Sequence, residues 1–149
     1  MSFKQKVYVH CLQLLNTKID SLKNILQELS ESSSNDSKSS AGDKHETARA
    51  MIQIEQETIS KKLNQTLEQK SLFEKIDTNL HSSQIHKGSL VCTNKGYLFL
   101  SSALGKIIVD EKTIIVISPQ SPLGIKLMGL KINDATEISG VKYFIEGID

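Results

Sequence analysis

The sequence predicts an α+β protein in two parts: an N-terminal antiparallel coiled-coil hairpin of helices over residues 1–78, then a small β-rich domain with one short helix over residues 79–149. Three observations carry this expectation. Apolar residues recur in alternating steps of four and three through the first thirty positions. A serine-rich run then interrupts the pattern. From about Ile85, short β-branched and aromatic runs alternate with Gly, Asn, Asp or Lys.

The first helix is expected over residues 4–30. Tyr8, Leu12, Leu15, Ile19, Leu22, Leu26 and Leu29 form a seam with the 3.5-residue period that keeps one stripe facing a partner helix. Leu14 and Ile25 widen the stripe, and neither Pro nor Gly breaks it. Serine then fills seven of the eleven positions from Ser30 to Ser40, a composition that favours a flexible turn. A tip is therefore expected at about residues 31–42. A second helix follows from about Lys44 to about Ile76. Its seam is Ala48, Ile52, Ile59 and Leu63, joined by Leu67 and Phe73, with Gln56 and Thr66 loosening it or setting register. About 27 residues per helix at 1.5 Å each give an arm of roughly 40 Å.

The runs "GSLVCT", "GYLFLS", "KIIVD", "TIIVIS" and "KYFIEGI" read as strands. Within "SPLGIKLMGLKINDATEI", Pro122 suits the first turn of a short helix and Gly129 its close, and "KINDATEI" reads as a turn into a strand.

Composition narrows the function. A formal net charge of +1 over 149 residues argues against nucleic-acid binding by the whole surface. No apolar run approaches the roughly 20 residues that span a bilayer. The start, "MSFKQKVYVHCLQLL", lacks a signal-peptide pattern, so a cytoplasmic protein without membrane contact is expected. Cys11 and Cys92 are expected as reduced, buried thiols. His10, His45, His81 and His86 have no zinc-site spacing with cysteine.

Two motifs in this order resemble the GreA/GreB transcript-cleavage factors of bacteria. "GDKHETA" parallels that family's "GDLKENA" at Gly42, Asp43, Glu46 and Ala48. "SPLGIKLMGLKINDATEI" parallels the pattern "SP-[IL]-G-x-x-L-[LM]-G-x-K-x-G-D-x-[VT]-E-[VI]" at Ser121, Pro122, Leu123, Gly124, Leu127, Met128, Gly129, Lys131, Asp134 and Glu137. "HKGSLV" looks like the opening strand of the same domain. Arg49 and Ala50 stand where the family has an acid and a tyrosine, and the serine-rich run is longer than the family's tip, so the chain resembles a divergent branch.

The resemblance implies an FKBP-like C-terminal domain that docks on RNA polymerase, with Ser121, Pro122, Leu123 and Gly124 at the contact. It also implies a hairpin whose tip enters the polymerase's secondary channel and promotes cleavage of backtracked RNA. The factor would not be an enzyme itself. It would be a monomer that binds polymerase, meets the RNA 3′ end indirectly and makes no primary DNA contact.

The chemistry implied for Asp43 and Glu46 is ligation of Mg²⁺ shared with the polymerase, with no stably bound cofactor. Two-metal hydrolysis needs ions roughly 3.5–4 Å apart, and added carboxylates raise the occupancy of a weakly held one. A three-residue spacing puts both acids on one helix face. The same Asp-x-x-Glu also reads as a capping box that starts the second helix. Three other readings stand beside this one: a channel binder that tunes or inhibits polymerase without cleavage, an FKBP-like isomerase or chaperone, and a coiled coil that self-associates.

Overall fold

Helix α1 (Phe3–Asp36) begins with a reciprocal cap that the sequence reading missed, although "SFKQ" carries its signature. Ser2 Oγ accepts from the Gln5 backbone N–H at 3.1 Å, and Gln5 Oε1 accepts from Ser2 N–H at 2.9 Å. Helix α2 spans Gly42–Phe73. The computed structural model describes the backbone of residues 1–36 and 42–149, and the side chains of residues 1–34 and 46–149. The rest of the expected serine tip and the side chains of Asp43 and His45 lie outside the described residues.

Both helix ends differ from the sequence reading. Helix α1 continues through Ser30, Ser32, Ser33 and Ser34 to Asp36. Serine is only a mild helix opponent, and extending an existing helix adds one hydrogen bond per residue fixed. Helix α2 ends three residues before Ile76. There the ladder tightens, with Lys75 N–H donating to Leu72 O and Ile76 N–H to Phe73 O.

The chain divides into two compact units, one of Met1–Leu12 with Leu72–Asp149 and one of Gln13–Ser71. In the Gln13–Ser71 unit, Leu15, Ile19 and Leu22 are buried as the seam predicts. On α2 the seam residues Ala48, Ile52, Ile59 and Leu63 are half-buried, Thr66 is 2% exposed where looser packing was expected, and Leu67 is 40% exposed. Steps of four and three from Ile59 through Leu63 arrive at Thr66. Its hydroxyl is satisfied within the helix by the Lys62 carbonyl at 2.8 Å, so a polar side chain is buried there without an orphan group.

In the other unit the α1 foot buries Val7 and Cys11, while Tyr8 and Leu12 are half-covered. The buried face is displaced by one residue, about 100° around the helix. The foot meets both a strand and the end of α2. Phe3 meets Tyr97 edge-on with centroids 5.3 Å apart. Tyr8 stacks on Phe73 at 4.8 Å, and Phe73 meets Phe99 at 6.3 Å.

Six strands follow: β1 (Leu90–Thr93), β2 (Gly96–Leu100), β3 (Gly105–Val109), β4 (Lys112–Ile117), β5 (Ala135–Ile138) and β6 (Val141–Ile148). Their order is β3-β4-β2-β1-β6-β5, antiparallel except for the parallel pair β2–β4. Of the expected "HKGSLV" strand only Leu90 and Val91 are extended in β1. Gly88, at φ 94°, makes the preceding turn. A short helix α3 (Pro122–Leu127) lies between β4 and β5.

Alternation on the central strands creates two apolar faces. Tyr97 and Phe99 register with Ile114 and Val116, the side met by the Phe3 and Phe73 rings. Leu98 and Leu100 register with Ile115 and Ile117, and they join Ile85, Val91, Leu127 and Ile145 in the other core. The sheet thus carries α3 on one face, as expected, and helix ends on the other.

Cys11 and Cys92 are both free, and Cys11 is buried. Cys92 is only half-buried, against expectation. It stands opposite Gly147 on β6, which has no side chain to cover it.

Candidate functional site

The segment from Ser118 to Ile138 is built as a chain of interlocking turns. Ser121 caps α3: its Oγ accepts from Gly124 N–H at 3.1 Å and donates to Ser118 O at 2.6 Å. Pro122 occupies the first turn, where its missing N–H costs nothing. Gly124 is buried against Ser118–Pro119. A Cβ there would run into the Ser118 carbonyl and approach Pro119 Cα to 2.9 Å. Leu127 is fully buried, and Leu123 packs against the same core.

The exit is equally determined. Met128 N–H donates to Gly124 O at 3.1 Å. Gly129, at φ 84°, lets its N–H reach Ile85 O at 2.8 Å. Lys131 N–H donates to Asp134 Oδ2 at 2.8 Å, closing the turn before β5. Asn133 has φ 76°, a left-handed conformation that asparagine tolerates and that the family pattern fills with glycine. Lys126 Nζ caps the Glu137 carbonyl at 2.8 Å, tying α3 to β5.

Of the four docking candidates, Gly124 is buried, Ser121 uses its hydroxyl in the cap, Leu123 is half-buried and Pro122 is exposed. The apolar side chains that α3 and its exit offer to solvent are therefore others. Ile125 is 63% exposed, and Met128 and Ile132 are also open. Ile125 and Ile132 occupy unspecified positions of the pattern, so only the folded helix singles them out.

The two acids lie on the first turn of α2, in the unit that does not contain α3. Glu46 is exposed. With Asp43 three residues earlier on the same helix, the pair supplies at most a few of the six ligands that Mg²⁺ takes. Among the described residues no group of three or more His, Cys, Asp or Glu is arranged to hold a metal.

An open groove runs along α2, lined by Gln53, Gln56, Glu57, Ser60, Lys61 and Asn64. Its lining is polar and carries no aromatic ring. Of the aromatic residues among the strands, Phe99 is fully buried, Tyr97 and Tyr143 are half-buried and Phe144 is exposed. Among the described residues no helix is long and apolar enough to cross a membrane. Compared with known proteins, the chain matches no family model and no curated protein.

Proposed function

We propose that this protein is a divergent member of the GreA/GreB type: an RNA polymerase-binding elongation factor whose hairpin is an antiparallel coiled coil and whose C-terminal part is FKBP-like. Its tip acids would assist Mg²⁺-dependent cleavage of backtracked RNA by the polymerase. One observation carries the reading. The "SPLGIKLMGLKINDATEI" residues that match the pattern perform the jobs the pattern's residue types suit, and Asn133 takes a positive φ where the pattern has glycine. The steric need for glycine at Gly124 and the left-handed turn at Asn133 support this reading.

In this reading the exposed Ile125 and Met128 beside Pro122 contribute the polymerase contact. Asp43 and Glu46 lend oxygen ligands to an ion whose remaining ligands come from polymerase and water. The factor supplies charge and position, and the polymerase supplies the catalytic centre.

The test is RNA cleavage in a stalled, backtracked polymerase complex. The wild-type protein should accelerate it. Asp43→Asn and Glu46→Gln keep polar side chains at the start of α2 but lose the charge, so binding should persist while cleavage falls and extra Mg²⁺ partly restores it. Ile125→Glu should weaken binding without loss of thermal stability. Binding without any stimulation by wild type would transfer the reading to a channel binder that tunes polymerase, for which Arg49 and Ala50 beside the acids are the motivating feature. No binding at all would remove both.

A further inference from the structure

The two edges of the six-stranded sheet are finished differently. β3 and β5 are the terminal strands. Each ends in a two-residue turn with positive φ at both positions, Asp110–Glu111 (51° and 64°) after β3 and Ser139–Gly140 (51° and 79°) after β5. Such a turn makes its flanking residues, Val109 with Lys112 and Ile138 with Val141, a hydrogen-bonded pair, and hydrogen-bonded pairs alternate along the ladder. The residues whose backbone groups point away from the sheet are therefore Lys106 and Ile108 on β3, and Ala135 and Glu137 on β5. On β5 the outward Glu137 carbonyl is taken by Lys126 Nζ from α3 at 2.8 Å. On β3, among the described residues, no backbone hydrogen bond reaches Lys106 or Ile108 from outside the β3–β4 pair.

The β3 edge is also sterically open. Ile108 is 60% exposed, and Gly105 and Lys106 are exposed beside it. A Cβ on Gly105 would meet no atom within 4 Å. An unpaired strand edge is a template for another strand, and the residues of β3 complement β3 itself. In an antiparallel pair of two copies, the alternation of hydrogen-bonding residues allows a two-fold axis at Lys106, Ile107 or Ile108. An axis at Lys106 sets like charges opposite each other, which is destabilising. An axis at Ile107 sets each Lys106 against an Ile108. An axis at Ile108 sets Ile108 against its own copy and brings Lys106 beside the acidic Asp110–Glu111 turn of the second copy. Asp110 gives Oδ2 to Lys6 at 2.9 Å but its side chain is half exposed, so it has a second oxygen to offer.

We infer that this protein self-associates through β3, as a two-fold dimer centred on Ile108 in which the sheet continues from one copy into the other. The interface is isologous: the same strand serves both copies. Backbone bonds at Ile108 and the covered Ile108 side chains hold it, and the charges of Lys106 and the acidic turn select its register. The overlap runs only from Lys106 to Asp110, so the dimer belongs to the small, concentration-dependent class of interfaces. The monomer expected from the sequence is then the dilute form.

The full chain is followed by sedimentation equilibrium. Its apparent mass should rise toward that of two chains as concentration increases. Ile108→Lys should hold the mass at one chain throughout with no fall in thermal midpoint, because the side chain is exposed. Ile125→Glu should dimerise as the wild type does, which separates β3 from the apolar side chains of α3. Register is read by cross-linking with oxidised glutathione in a Cys92→Ser background. The two copies of position 108 face each other with Cα atoms about 5.5 Å apart, within disulfide reach, whereas those of position 106 lie roughly 13 Å apart along the strands. Ile108→Cys should therefore give a covalent dimer, and Lys106→Cys should not. A one-chain mass at every concentration overturns the inference and leaves the edge to a strand from a different protein. A dimer that survives Ile108→Lys overturns it equally, as does one that cross-links as readily through Lys106→Cys.

Discussion

Cys11 shows how one buried side chain sets a pH limit on the fold. Burial pushes its thiol from the ordinary 9.0 up to about 12. In the folded protein it therefore stays protonated over a range in which the unfolded chain has released the proton. The stability associated with the neutral thiol is complete below about pH 9 and is lost as pH rises toward about 12, by up to about 1.4 kcal/mol per pH unit. Urea unfolding at about pH 8 and about pH 10 should show a shallower alkaline loss in Cys11→Ala than in wild type, whatever the variant's stability at the lower pH. Equal slopes would place the alkaline sensitivity elsewhere, with Tyr8 the next group to examine, since burial and then Glu74 raise its pKa as well.

Elements respond to changes that their own geometry forbids. Gly124 in α3 is held against the Ser118–Pro119 backbone, which has little room to yield. Gly124→Ala should lower stability by about 1–3 kcal/mol, read as a fall in thermal midpoint, although alanine is the better helix former. The opposition of propensity and packing makes the outcome diagnostic. On α1, Leu22 is buried in the Gln13–Ser71 unit. Leu22→Asp should cost more than about 2 kcal/mol and reduce helicity by circular dichroism. The amide spectrum of the β-strand residues should remain dispersed. Joint collapse of helices and strands would mean that the two units do not fold separately.

At the scale of the whole molecule, the sheet depends on helix ends that a cut at the start of the strands would remove. A fragment of residues 86–149 lacks Phe3 and Phe73, whose rings meet Tyr97 and Phe99. Burial of one such side chain is worth about 1.5–3 kcal/mol, against a typical total stability of about 5–15 kcal/mol. The fragment should therefore bind a dye for exposed apolar surface and melt without cooperativity, while the full chain melts sharply. A fragment as cooperative as the parent would show that α3 and its core suffice.

The sequence by itself determined the α+β class, the places of the two long helices, the strand runs and α3 with its Pro122 start and Gly129 close. Those features rest on periodicity and on residues with few backbone options, and both are local. The tertiary structure decided which face each element buries. Val7 and Cys11 are buried where Tyr8 and Leu12 were expected, and Thr66, at a seam position expected to pack loosely, is buried while Leu67 is exposed. Exposure of Ile125 on α3 and burial of Lys4 were likewise invisible in the chain, since no pattern of letters states what lies across from a side chain. The two acids of α2 were legible as a motif, and under the proposed function their chemistry would depend on ligands that another molecule brings. Spacing along a helix can put two carboxylates on one face, whereas completing a coordination shell takes groups from outside it.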